Sequence, residues 1–346
     1  MLIKLLRNHL GPFKWLLVGI VFFQFLQTLG TLFLPTLNAD IIDKGVARGD
    51  TGYIWSTGGV MLIITLAQVC FAAAAVYFGA KMAMGFGRDV RSSLFHKVTG
   101  FSTQEVGTLG APSLITRVTN DVQQVQMVLV MAATLMVAAP IMATGGIILA
   151  LRQDVGLSAL LLVSIPALII GVGLVLVRLV PQFRAMQERL DVVNGVLREQ
   201  LMGIRVVRAF VREPFEGLRF GGANADLTET SLKAGQYMAF MFPFVMVVLN
   251  LSSVAAVWIG GSRIDAGDLE IGQLIAFLSY LIQILMSVMM ATFMAVMLPR
   301  AAVSADRIQE VLDTPSTIVV PDRPVEALQR RGSLELRNVG FGYPGA

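Results

Sequence analysis

Residues 183–211 read FRAMQERLDVVNGVLREQLMGIRVVRAFV, and this stretch decides the fold. Apolar side chains recur at Phe183, Met186, Leu190, Val193, Leu197, Leu201, Ile204, Val207 and Val211. Every step is three or four residues, the spacing of one face of an α-helix. Arg184, Glu188, Arg198 and Arg208 fall elsewhere on the turn. Just upstream, residues 155–177 hold no Asp, Glu, Lys or Arg, and about 20 apolar residues are enough to cross a bilayer. The two readings join into one helix that leaves the membrane and runs on as an amphipathic rod. At 1.5 Å per residue the rod reaches on the order of 40 Å into water, and Pro214 is expected to end it. A return helix is expected from about Ala223.

Five further windows are free of charge in the same way: residues 15–39, 51–80, 122–151, 234–262 and 271–299. Hydrophobic residues make up 55% of the chain and charged ones 14%, and the mean hydropathy is +0.72. Soluble domains of this length do not have that composition. The first window is too long for a signal peptide and no small-residue cleavage site follows it, so it is read as a mature span.

Cations set the orientation. Of 27 Lys and Arg, only Lys44, Arg48, Arg152 and Arg263 lie on the side opposite the N-terminus. The positive-inside rule then puts both termini in the cytoplasm of a plasma (inner) membrane protein. The net charge of +4 is read as a topology signal, with nothing to indicate a nucleic-acid partner. The lone Cys70 excludes an intrachain disulfide and is expected to be a packing residue.

Connections on the outer side are short, around residues 40–50, 152–154 and 261–267. Those on the inner side, 81–121 and 178–233, are long helical hairpins. In the first, residues 81–100 descend and 113–126 climb; Gly107, Gly110 and Pro112 place the turn at 101–112. Residues 1–12 read as an interfacial helix that Pro12 separates from the first span. After the sixth span the helix continues to about residue 312, a linker with Pro315, Pro321 and Pro324 follows, and residues 333–343 alternate as a strand. The fold class is therefore all-α membrane, with six transmembrane helices and long cytoplasmic extensions, followed by the first β-strand of a soluble domain. The domains are 1–12, 13–313, a linker at 314–332, and 333–346.

Three blocks carry a family resemblance: SLITRVTND (113–121), GIRVVRAFVRE (203–213) and LELRNVGFGYP (334–344). In their order and spacing around six spans, the chain resembles the type IV, exporter-type ATP-binding-cassette transporters over essentially its whole length, and most resembles subunits of the heterodimeric multidrug-type members. The resemblance implies that the last block opens a nucleotide-binding domain in which Tyr343 stacks on the adenine of ATP. It further implies that the hairpin tips, Phe101, Ser102, Thr103, Gln104 and Glu105 in one and Pro214, Phe215 and Glu216 in the other, couple to such domains. Phe215 would be the apolar knob of the second contact. A phosphate loop of the form G-x-x-x-x-G-K-S/T appears nowhere in these residues. ATP and Mg2+ would therefore be bound mainly outside the chain, whose end at Ala346 is expected to be a boundary within a longer polypeptide.

No metal-binding or catalytic set is expected among these residues. The spans contain polar but no charged side chains. Phe22, Gln24, Gln27, Asn250, Gln283, Met286 and Met290 are the candidates for a substrate cavity, since flexible thioethers accommodate varied apolar cargo. Pro140, Pro166 and Pro243 fall inside spans and are expected to bend them. The implied function is ATP-driven alternating access by a dimer, with a second half-transporter as partner, preferably a different subunit. Cargo would be a drug, lipid, peptide or siderophore, moved most naturally outward. The competing classes are an ion-coupled secondary carrier, which should show intramembrane charges or broken helices, and a channel or scaffold subunit without a motor.

Overall fold

The computed structural model describes residues 1–318, 332, 335–340 and 342. A short helix α1 (Leu2–Leu10) leads through a tight turn at Gly11–Phe13 into α2 (Lys14–Asp40). Next come α3 (Thr51–Thr99), the seven-residue α4 (Thr103–Leu109), α5 (Ala111–Gln153), α6 (Val155–Ala209), α7 (Glu213–Asp265) and α8 (Ile271–Asp313). Among the described residues, six helices are long and apolar enough to cross a membrane, the first counted from Leu2 to Val46.

At one end of the bundle the helices meet through short turns. α2 carries on as a wider π-helical coil over Ile41–Val46, so only residues 47–50 turn, and Asp50 caps α3 by accepting from Tyr53 N at 2.9 Å. Between α5 and α6 a single residue, Asp154, breaks the helix; its Oδ1 accepts from Leu157 N at 2.6 Å and its Oδ2 pairs with Arg263 at 3.0 Å. α7 runs through Asp265, and Gly267 turns the chain with φ 78°, a conformation that costs a side chain dearly. These connections are shorter than the sequence indicated. Polar residues near a span end satisfy the last turn's backbone by staying helical.

At the other end, α3 and α5 form one hairpin around α4, and α6 and α7 form the second. From Arg178 to Ala209 the α6 rod extends about 45 Å past its apolar span. It stops at Ala209 and not at Pro214. Val211 takes the left-handed region with φ 51°, and Pro214 sits in the first turn of α7, where its missing N–H costs nothing. The return helix accordingly starts at Glu213, ten residues ahead of the expected Ala223. In the first hairpin the expected turn is itself largely helical, with Gly107 inside α4, Gly110 at φ 77° and Pro112 opening α5.

Among the described residues, the two largest of four apolar clusters lie toward opposite ends of the bundle. Toward the short-turn end, Leu32, Leu157, Leu161, Leu168, Val245, Ala256, Phe277, Leu281 and Ile284 join α2, α6, α7 and α8. Toward the hairpin end, Leu5 of α1, the stripe Ala83, Phe86, Val90 and Leu94 of α3, Val122 and Val125 of α5, and Ala305 and Ile308 of α8 form the second. Glycines let helices approach: a Cβ on Gly87 would lie 2.1 Å from Gln126, and one on Gly171 would lie 1.9 Å from Phe244. Pro35, Pro140, Pro166, Pro181, Pro243 and Pro299 all lie inside helices.

Buried hydroxyls add small increments. Ser164 of α6 and Ser252 of α7 meet at 2.7 Å. Ser252→Ala is expected to lower stability by about 0.6 kcal/mol, and by no more than about 1.7; equilibrium unfolding in bicelles measures it.

All three tryptophans are exposed: Trp15 near the hairpin-side start of α2, and Trp55 and Trp258 near the short-turn end. Such rings sit where lipid meets water. Cys70, expected to be a packing residue, is exposed instead, because α3 buries only one side of its outer half.

The strand expected over 333–343 is absent among the described residues. Glu335, Leu336, Arg337, Asn338, Val339 and Gly340 form no ladder, and Asn338 adopts φ 50°, which interrupts an extended run. A strand also needs a neighbour to bond with, and no other described segment is extended enough to supply one.

Candidate functional site

The hairpin tips are built differently. α4 opens with a capping box: Gln104 N donates to Ser102 Oγ at 3.2 Å, while Ser102 N donates to Glu105 Oε2 at 2.5 Å. Two otherwise orphaned donors are thereby satisfied. Phe101 is buried in the hairpin-end cluster, and Glu105 is 6% exposed. Of the five residues singled out here, only Thr103 and Gln104 face fully outward, next to Gly107 and Thr108. Phe101 and Glu105 therefore turn away from any docking partner of this tip, because the apolar cluster and the capping box draw them inward.

Burial opposes the charge on Glu105, but hydrogen bonds from Ser102 and Thr317 outweigh it and hold the carboxyl at about 2, below its ordinary 4.5. A carboxyl depressed on folding adds stability above its unfolded value and loses it as pH falls toward its folded value. Hydrogen-exchange protection of the Thr317 amide is therefore expected to be level down to about pH 5 and to fall only below about 4.5. Loss of protection between neutral pH and 5 would contradict this.

The second tip is open. Phe210, Val211 and Leu218 are exposed, and Phe215 is 56% exposed with the Arg212 guanidinium 5.6 Å from its ring centre. Pro214 also faces out. Glu216 does not: Gln200 Nε2 donates to its carbonyl at 3.1 Å and Arg219 pairs with its carboxylate at 3.7 Å. From residue 197 to 233 no side chain is buried. Its ion pairs, Arg189 with Asp226 at 3.1 Å and Arg219 with Glu199 at 2.6 Å, join α6 to α7. The apolar stripe read at 183–211 is thus covered only at Val193 and partly at Phe183, Met186 and Val207. Phe210, Val211 and Leu218 were missed as tip residues; three large apolar side chains beside a Pro-marked turn were the available signal.

The seven cavity candidates do not converge. Phe22 faces outward and stacks edge-on with Phe23 at 5.4 Å. Gln24 Nε2 donates to Gln27 Oε1 at 2.9 Å beside the buried Thr28. Asn250 lies on the exposed side of α7, and Gln283, Met286 and Met290 are half-buried on α8. Phe22 alone of the seven borders an outward-facing hollow of about 570 Å³ on α2, with Leu17, Val18, Val21 and Phe25, and other hollows form between helices. A cleft of about 590 Å³ between α3 and α5 is lined by Met84, Arg91, Gln123, Gln126, Met127 and Met131. There Arg91 donates to Gln126 Oε1 and Gln126 Nε2 donates to the Ala83 carbonyl at 3.1 Å. Another of about 400 Å³ lies between α5, α6 and α8, with Pro140, Ile169, Ser287 and Thr292 on its walls. Met127 and Met131, one helical turn apart, were the overlooked signal. Tyr343 lies outside the described residues, and among those that are described no cluster of His, Cys, Asp and Glu could hold a metal ion.

The family described as ABC transporter transmembrane region matches residues 17–288. An uncharacterized ABC transporter ATP-binding protein of Mycobacterium tuberculosis is 47% identical over 347 residues, covering 100% of this chain and 60% of the relative. An uncharacterized ABC transporter ATP-binding protein of Bacillus subtilis is 35% identical over 340 residues, covering 97% and 58%. The ATP-dependent lipid A-core flippase of Syntrophus aciditrophicus is 24% identical over 351 residues, covering 99% and 56%. The chain thus spans about 60% of the length of the first of these relatives.

Proposed function

This chain belongs to the ABC transporter transmembrane family, and from that premise we propose that it forms the membrane part of one subunit of a dimeric, ATP-driven transporter. Its cargo is apolar or amphipathic, and the direction of transport is outward. The observation that carries this reading is the second hairpin. α6 and α7 project about 45 Å beyond the apolar span, with an apolar stripe largely uncovered and a tip of exposed Phe210, Val211, Phe215 and Leu218. A rod of that kind has no purpose within its own chain, and large side chains left in water mark a contact to be made. A soluble motor domain at the tip, and a second subunit along the rod, would each cover part of it.

The family and the relatives' names support ATP as the energy source. Tyr343 is the residue here that would stack on adenine; the phosphates and Mg2+ would be held beyond the chain. Cations concentrated at the hairpin end support cytoplasmic termini in the plasma membrane. Pairing with a different subunit is favoured over pairing with a second copy by the sequence blocks alone. The flippase among the relatives supports lipid as one cargo class, alongside drugs, peptides and siderophores.

The test uses the full-length protein with its partner in inverted membrane vesicles. ATP-dependent accumulation of a fluorescent apolar or lipid-like probe is expected, abolished by a non-hydrolysable ATP analogue. Accumulation driven equally well by an ion gradient without ATP would overturn the proposal in favour of a secondary carrier.

A further inference from the structure

The chain that leaves α8 does not simply depart from the bundle. Ser316 Oγ donates to the Gly100 carbonyl at 2.7 Å, the hydroxyls of Ser102 and Thr317 meet at 2.8 Å, and Thr317 N donates to Glu105 Oε1 at 3.3 Å. Glu105 thus uses one carboxylate oxygen to cap α4 and the other to hold the exit of α8. A local capping residue needs only the first of these contacts.

A second set of contacts lies above this strap. The π-helical stretch Arg117–Asp121 widens α5 and turns both of its terminal side chains toward α8. Arg117 Nη1 pairs with Glu310 at 2.8 Å and donates to the Arg307 carbonyl at 3.1 Å, while the buried Asp121 accepts from Ser304 Oγ at 3.0 Å. The anchors on α8 are therefore Ser304, Arg307, Glu310 and the exit residues Ser316 and Thr317. Between them, Phe101, Leu114, Ile308 and Val311 pack in a single apolar cluster. α6 and α7 contribute nothing to it.

We propose that Glu105 is a positioning residue that straps the exit of α8 to α4, so that the first hairpin and α8 move as one body while the second hairpin moves separately. Force applied at α4 then reaches α8 directly at the hairpin end, without first being relayed through the spans. The consequence for transport rests on the function proposed above, whereas the strap itself does not.

The experiment takes the full-length protein in membranes with Cys70→Ala and the pair Ser102→Cys and Thr317→Cys, whose hydroxyls are in contact. Without nucleotide, oxidation is expected to join the pair readily, and adding Glu105→Ala is expected to slow the joining about tenfold, as loss of hydrogen bonds to a charged group would. Unchanged joining after Glu105→Ala would overturn the strap, and this arm needs no transport activity. The disulfide is then expected to leave ATP-driven transport near that of the reduced protein, because the strap never opens. Transport that stops on oxidation and returns with reductant would overturn the single-body proposal.

With free thiols absent, Glu105→Ala is expected to keep ATP hydrolysis while transport per ATP falls severalfold; an unchanged ratio would argue for a capping role only. Should Glu105→Ala fail to fold, Glu105→Gln, which keeps the size and can still accept from Thr317 N, gives the same readings in milder form. A wild-type protein that neither hydrolyses ATP nor transports would count against the proposed function and leave the cross-linking result standing.

Discussion

Phe86→Ala is expected to destabilise the protein by about 3–5 kcal/mol, the range for emptying a fully enclosed aromatic site. Phe86 is 0% exposed. It lies five residues beyond Lys81, the charge that ends the second apolar window, so lipid cannot refill the space. It belongs to the hairpin-end cluster with Leu5 from α1, Val90 from its own helix, Val122 and Val125 from α5, and Ala305 and Ile308 from α8. His9 meets its ring edge-on at 6.1 Å. α1, α3, α5 and α8 all contribute to this cluster, and the cavity left by alanine could close only by moving at least one of them. Unfolding in bicelles should show the loss, and hydrogen exchange should place the loosening in α1, the lower part of α3 and the end of α8. A loss below about 1 kcal/mol would mean that the site collapses freely, and α8 could not then be held as rigidly as the single-body proposal requires.

The parts of this architecture that the sequence made legible are those set by short-range pattern. Charge-free windows mark six spans because a bilayer tolerates few charges at any position along a helix. The stripe from Phe183 to Val211 marks the rod because an α-helix repeats every 3.6 residues whatever lies around it. Errors entered where one residue has two legal uses. Pro214 can follow a helix or open one, and the left-handed Val211 that decides between them leaves no signature in composition. The alternation at 333–343 has the period of a strand, yet a strand exists only with a partner.

The functional surfaces were read less well, for the same reason. Ser102 and Glu105 are visible as a capping box, three residues apart. That Glu105 also takes a bond from Thr317, 212 positions away, depends on where α8 ends in space. The cavity candidates were chosen as polar or flexible residues within spans, but whether such a residue faces a hollow depends on its neighbours' sizes. Gln24 Nε2 is turned to Gln27 Oε1, while Met127 and Met131 border a cleft between α3 and α5.

A contrast between two glycines tests how the opposite end of α8 is held. A Cβ on Gly272 would lie 2.4 Å from the Ala39 carbonyl and 2.4 Å from Asp43 Oδ2. The first of these is backbone, which cannot swing away as a side-chain tip could. Gly272 N also donates to Asp43 Oδ1 at 2.6 Å, so α8 starts on a hydrogen bond to the π-helical end of α2. Gly272→Ala is therefore expected to cost about 1–3 kcal/mol by overpacking. Gly261, in α7, would place a Cβ in open space, so Gly261→Ala should be neutral or stabilising by up to about 1 kcal/mol, since alanine suits a helix better. Both changes add one methyl group near the same end of the molecule, so detergent, lipid or expression effects should shift them together and only the local geometry separates them. Equal stabilities of the two variants would show that α2 and α8 can part without cost. α8 would then lack a fixed upper end, and a push delivered to its lower end through α4 could slide the helix along its axis instead of tilting it.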